Sequence, residues 1–253
     1  MRVKGGKALY GASVGILMLD AQFPRIIGDM GNAQTWPFPV HYKIVRQASP
    51  DKVVRGQARD MLDNFITAGR ELIADGVDGI TTNCGFLALY QEQLSQALQV
   101  PVATSSLLQV QMVNSLLPKE KQAGILTISA SSLTPAHLRA ANVPETTPVA
   151  TIEGGAEFTR AILDNENQLD IEAARLDNIA AARQLCQDPS VGAIVLECTN
   201  MIPYAAAIRA ATGLPVFSIY NFILWFQASL SPKAFPLPPM AVSYTHLTLP
   251  TKA

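Results

Sequence analysis

The sequence predicts an α/β protein of two related halves, each built on a parallel sheet, and three observations carry that prediction. Short apolar, β-branched runs alternate with longer helical patterns, the signature of parallel strands joined by crossover helices. Two stretches repeat each other without a gap at an offset of 114 residues: GVDGITTNCGFLALYQEQLSQALQVPVATSS from Gly76 and SVGAIVLECTNMIPYAAAIRAATGLPVFSIY from Ser190. In that register Val77 falls on Val191, Ile80 on Ile194, Cys84 on Cys198, Tyr90 on Tyr204 and Pro101 on Pro215. The opening runs match as well, VGILML at Val14 with AGILTI at Ala123.

The elements follow in chain order. Strands are expected at Val14–Leu19, Gly79–Asn83, Val100–Ala103, Ala123–Ile128, Ala193–Glu197 and Pro215–Ser218, with a further strand at Val149–Ile152. Between the first two, Asp51–Asp75 has helical spacing of Val54, Ala58, Met61, Leu62, Phe65 and Ile66, and Gly76 is placed as its C-cap. Asp170–Gln187 repeats the pattern with Ile171, Ala174, Ile179, Ala182 and Leu185, ahead of the second cysteine strand. The segment SPKAFPLPPM from Ser231 reads as a Pro-rich loop, and Ser243–Ala253 resembles a translated non-coding tail, which sets it and His246 outside the functional argument.

Composition narrows the function classes. In 253 residues, 49% hydrophobic and 15% charged, there is ample material for a buried core. Nineteen basic and 20 acidic residues leave a net charge of −1 with no basic run, so nucleic acid is not an expected partner. The apolar run near the N-terminus is too short for a membrane span and reads as a first core strand. Three cysteines do not make a disulfide framework, and the expectation is a reduced, soluble, cytoplasmic protein with no membrane association.

The chemistry centres on the repeated thiols. Cys84 and Cys198 each end a strand and precede a helix, and in duplicated βα units ligands sit at the carboxyl ends of the strands. A thiol has a reference pKa near ~8.5, raised by burial and lowered by the N–H groups of a helix N-terminus. Facing thiols let one thiolate act as general base while the other acts as general acid, with no metal or organic cofactor required. Asn83, Gly85, Thr199 and Asn200 flank the thiols as suitable donors for stabilising enolate-like charge. Cys186 lies late in a helix outside the repeat and reads as a packing residue.

The segments ITTNCGF, GILTISASS and VLECTNMIPYAAAIRAATGLPVFSI resemble the paired motifs of the aspartate/glutamate racemase superfamily. That group includes amino-acid and hydantoin racemases, maleate isomerases, arylmalonate decarboxylases and dimethylsulfoniopropionate lyases. The resemblance implies two flavodoxin-like αβα halves with an interdomain active site, no cofactor and a homodimer. It divides the chain into residues 1–104 with 216–242 and residues 105–215. Carried over by position, Cys84 and Cys198 are the acid/base pair, Asn83, Gly85, Thr199 and Asn200 bind the carboxylate, and Thr127 and Ser129 line the site. The activity it implies first is an amino-acid racemase; a lyase and a non-catalytic small-molecule-binding protein are the alternatives.

Two departures fall beside the thiols. Amino-acid racemases follow the first cysteine with Asn-Thr, where this chain has Gly85-Phe86, and they carry Gly before the second, where it has Glu197. Glu197 is either a buried charge that raises the thiol pKa or a residue pointing away along the strand. The stretch LDAQFPRIIGDMGNAQTWPFPVHYKIV is more like that of the lyase branch, in which an acidic residue follows the first strand. Asp20 is accordingly read as a substrate-binding residue or a turn cap, and Arg25 as a carboxylate partner or a solvated cation. Trp36, Phe38 and Tyr42 form a lid or anchor their loop, and His41 and His137 lack metal-ligand spacing.

Overall fold

The computed structural model describes residues 2–236 except Lys4 and Arg59; Ser243–Ala253 lies outside the described residues. Its strands are β1 (Val14–Leu19), β2 (Val40–Val45), β3 (Gly79–Thr82), β4 (Val102–Ala103), β5 (Gln122–Thr127), β6 (Val149–Thr151), β7 (Val191–Leu196) and β8 (Val216–Phe217). Its helices are α1 (Pro50–Val54), α2 (Leu62–Asp75), α3 (Gln91–Leu98), α4 (Val110–Leu116), α5 (Pro135–Ala140), α6 (Phe158–Leu163), α7 (Ile171–Leu185), α8 (Ala205–Thr212) and α9 (Ile219–Leu230). The strands form two parallel sheets of identical topology, β2-β1-β3-β4 and β6-β5-β7-β8. The 114-residue repeat is thus visible in space, because β3 and β7 hold the same place in their sheets.

Burial explains why these runs become strands. β1 is buried at all six positions and β7 at five of six, as expected of central parallel strands covered on both faces. The largest apolar cluster spans both halves and contains both repeated cysteines. After β8 the chain returns to the first half, where Ile219, Ile223 and Phe226 of α9 pack with Val14 and Ile16 of β1. The second sheet runs to Phe217, two residues beyond the expected boundary at 215, because β8 pairs with β7. Among the described residues no helix is long and apolar enough to cross a membrane.

Three local expectations are corrected. Strand β2 includes Tyr42, which the sequence assigns to a loop; its VHYKIV pattern is partly polar because it forms the edge of its sheet. Asp51–Asp75 is two helices rather than one. Ser49 caps α1 with Pro50 at its first position, and positive φ at Gln57, Ala58 and Asp60 breaks the helical path before α2. Gly76 does cap α2, at φ 124°, with its N–H bonded to the Leu72 and Ile73 carbonyls. The helices after the two cysteines each begin as a 3-10 turn, Gly85–Tyr90 before α3 and Thr199–Tyr204 before α8.

His137 carries a stability prediction. It is fully buried in α5, its Nδ1 accepts the Thr134 N–H at 3.1 Å, and its ring packs edge-on to Phe86 at 5.1 Å. Burial disfavours the imidazolium and pushes its pKa down to about 4. The unfolded chain therefore takes up this proton near pH 6.5, before the folded chain does. The stability gained from the neutral ring is full above pH 6.5 and lost as pH falls toward 4, on the order of 3 kcal/mol for this group. Urea midpoints at pH 7 and pH 4.5 are expected to show that loss, and His137→Asn to flatten the pH dependence.

Candidate active site

The two thiols reach one pocket because the repeat places them at equivalent strand ends. The chain leaves β3 through Asn83 and Cys84 and leaves β7 through Glu197 and Cys198, with each cysteine extended at the start of its 3-10 turn. Both thiols are free and buried. They line a narrow pocket of about 20 Å³. Leu19 at the end of β1, Phe23 beyond it, Pro50 and Val54 of α1, Phe86, Ile128, and Ile162 and Leu163 of α6 make most of its wall apolar. The break between α1 and α2 therefore has a consequence for the site, since α1 contributes two of these residues.

Burial dominates the electrostatics. Backbone N–H groups of Phe86 and Leu87 favour the Cys84 thiolate and that of Asn200 favours the Cys198 thiolate, as expected at helix starts. Desolvation outweighs them, followed by the repulsion of Glu197: Cys84 is pushed up to about 12 and Cys198 well above the usual thiol value. The expectation that the helix N-termini would lower these pKa values is thus corrected.

Glu197 points into this site. Its side chain is fully buried, Oε2 accepts the Thr127 hydroxyl at 2.9 Å, and Oε1 has no partner among the described residues. Burial raises its pKa to about 8. A Cβ built on Gly85 would lie 2.2 Å from Glu197 Oε1 and 2.3 Å from its carbonyl oxygen. The two departures beside the thiols are therefore one feature, because the carboxyl group occupies space that any side chain at position 85 would need.

Thr127 should be replaceable only by a residue that keeps the hydroxyl. Thr127→Val leaves Oε2 without its donor, at an expected cost of about 1–3 kcal/mol. Thr127→Ser is expected to remain near wild type, and thermal melts of the two variants check the difference.

The other candidates are distributed as follows. Asn83, Gly85 and Asn200 line the pocket with the cysteines. Asn83 Oδ1 accepts the Leu19 N–H at 2.7 Å, and Thr199 donates to the Asn83 carbonyl at 2.6 Å, so Thr199 ties the two cysteine turns together rather than lining the pocket. Thr127 and Ser129 also stand behind the pocket wall; Ser129 donates to Glu153 at 2.8 Å, while Ile128 between them faces the cavity. Asp20 is not brought to the site: it pairs with Arg46 at 3.1 Å and accepts the Gln47 N–H, acting as a turn anchor. Trp36 donates to the Met30 carbonyl and stacks on Tyr220, so the aromatic segment anchors its loop. Cys186 caps the end of α7, half-buried against the core.

The acidic residue that does connect to the thiols is Asp29, which the sequence pattern did not single out. Buried Asp29 accepts from Arg25 Nη1 at 2.8 Å, from the Gly31 N–H at 2.7 Å and from Asn200 Nδ2 at 2.5 Å. Asn200 Oδ1 in turn accepts the Cys198 thiol at 3.5 Å. Arg25 is thus neutralised by Asp29 and also lies over the Phe23 ring, 4.6 Å from its centroid.

No protein-family model matches the chain. A dimethylsulfoniopropionate lyase from Durusdinium sp. clade D is 28% identical over 214 residues, 81% of this chain and 71% of that protein. Among solved structures, arylmalonate decarboxylase shares the fold with a TM-score of 0.57 at 14% identity, over 89% of this chain and 95% of the other. A glutamate racemase from Bacillus anthracis gives a TM-score of 0.56 at 14% identity, over 88% and 85% of the two chains. With two sheets of like topology and a cysteine ending the equivalent strand of each, the chain has the fold of these decarboxylase and racemase structures.

Proposed function

We propose that the protein is a lyase that removes the proton α to a carboxylate and expels a β-leaving group, with dimethylsulfoniopropionate as the substrate to test first. The observation that carries this reading is the presence of Cys84 and Cys198 in one pocket whose remaining wall is mostly apolar. Apolar and aromatic side chains, Phe23 and Phe86 among them, suit the methyl groups of a sulfonium cation. The likeness to the Durusdinium lyase supports the same choice and displaces the amino-acid racemase as the leading reading.

In this scheme a thiolate takes the Cα proton and becomes a thiol. The electron pair of the broken C–H bond forms the C=C bond, the Cβ–S bond breaks, and dimethyl sulfide leaves with its electron pair to give acrylate. Asn83 and Asn200, already on the pocket wall, offer amide groups to the carboxylate on which charge develops. Racemisation remains the second reading because two thiols in one pocket also satisfy the geometry of proton removal from one face and return to the other.

Proton NMR in deuterated water separates the readings. Dimethylsulfoniopropionate is expected to be consumed with appearance of dimethyl sulfide and acrylate. Loss of the Cα–H signal of an amino acid, with both enantiomers formed, would assign a racemase instead. A folded protein that leaves dimethylsulfoniopropionate intact would overturn the lyase.

A further inference from the structure

We propose that Glu197 is the proton-holding partner of the two thiols, accepting and returning the proton that sets which of the three groups carries the single negative charge of the site. This deepens the lyase reading and rests on its use of the thiols as acid/base groups.

The geometry supplies four supports. Glu197 immediately precedes Cys198, and its Oε1 lies against the Cα of Gly85, the residue after Cys84, so one carboxyl oxygen stands by both cysteine turns. Glu197 lines the same pocket as both cysteines. Oε2 is held by Thr127, which orients the group and leaves Oε1 buried and unpartnered among the described residues. A buried carboxylate oxygen without a donor is costly, whereas a protonated carboxyl group becomes a donor itself. The absent side chain at position 85 is what admits this oxygen.

Charge accounting leads to the same role. The ionisable groups acting on the thiols are Glu197 just after β7, Cys84 on Cys198, and Arg25 and Asp29 from the loop after β1. Arg25 and Asp29 cancel as an ion pair at 2.8 Å. The remaining three groups share a desolvated space in which two negative charges oppose each other, so their ionisation is one coupled event. Proton transfer from a thiol to the Glu197 carboxylate yields a thiolate and a neutral carboxyl group, with no change in total charge. After a substrate proton reaches the thiolate, Glu197 releases its own proton to solvent and takes the new one from the thiol. The thiolate is restored, and the net product is one proton per molecule cleaved, which balances the lyase reaction.

The test combines thiol alkylation with turnover in the full chain. Glu197→Gln keeps an acceptor for Thr127 but neither carries charge nor exchanges a proton. It is expected to shift the iodoacetamide reactivity of Cys84 and Cys198 to lower pH, because a repelling charge is gone, while turnover of dimethylsulfoniopropionate falls about 100-fold or more. Faster alkylation with slower turnover is the signature; a merely space-filling role moves neither in that pattern. Unchanged turnover, or an alkylation profile that does not move or moves to higher pH, overturns the role of Glu197. If wild type fails to cleave dimethylsulfoniopropionate, the alkylation shift alone decides the role of Glu197, separately from the lyase reading. Infrared spectra of wild type cover a variant that does not fold: a protonated-carboxyl band near neutral pH should vanish as pH passes about 8, and its absence at pH 6 would refute the proposal.

Discussion

Replacing either Cys84 or Cys198 by alanine is expected to lower turnover of dimethylsulfoniopropionate by a factor of about 10²–10⁴, the usual worth of a positioned acid or base. Both cysteines are buried and line the same pocket, and the same carboxyl group, Glu197, acts on each thiol. The two effects should therefore fall short of additivity, as expected of groups that act as a unit. Fold is not at stake in the same measure. Cysteine to alanine removes one buried atom from each wall, and the strand ends, the Thr199–Asn83 bond and the backbone N–H groups persist. Steady-state rates with a folded-state control by circular dichroism check the prediction. Full turnover in both variants would remove the thiols from the chemistry, and loss confined to one variant would name the base and leave the other thiol a binding role.

Gly85→Ala is expected to be the most disruptive single methyl group that can be added at the site. The new Cβ would stand 2.2 Å from Glu197 Oε1 and 2.3 Å from the Glu197 carbonyl oxygen. The side chain can swing only by giving up its bond from Thr127, and the carbonyl directly follows the last residue of central strand β7. Overpacking of this kind costs about 1–3 kcal/mol or more. A fall of several degrees in Tm should accompany it, together with loss of activity, because the displaced turn carries Cys84. Adding Glu197→Gly to Gly85→Ala should recover part of the stability, since it removes the side-chain clash but leaves the carbonyl clash. A double-mutant cycle measures that coupling; independent, additive effects would show that the two positions do not share the space between the halves.

The repeat, the parallel strands and the strand-end placement of both thiols were legible in the sequence because each depends on local pattern or self-similarity. The run VGILML becomes a doubly covered strand wherever helices are available to cover it, and Gly76 caps a helix by its own backbone freedom. The matched register of Cys84 and Cys198 forces equivalent positions in two sheets of the same order. Edge strand β2 was not legible, since an edge strand keeps polar residues and lacks the apolar run that marks a buried one. Nor was the choice of acid after β1. Asp20 and Asp29 are the same residue type on one loop, and only packing against the second half ties Asp29 to Asn200 while leaving Asp20 with Arg46.

The two-half α/β architecture and the matching strand-end positions of Cys84 and Cys198 could be read from the chain, because periodicity and duplication are properties of its local pattern. The neighbours of the two thiols and their desolvation come from the packing of distant segments. Desolvation, which pushes Cys84, Cys198 and Glu197 upward, depends on how closely the halves cover them. The contact between Gly85 and Glu197 joins residues 112 positions apart in the chain, and no local pattern in either segment records it.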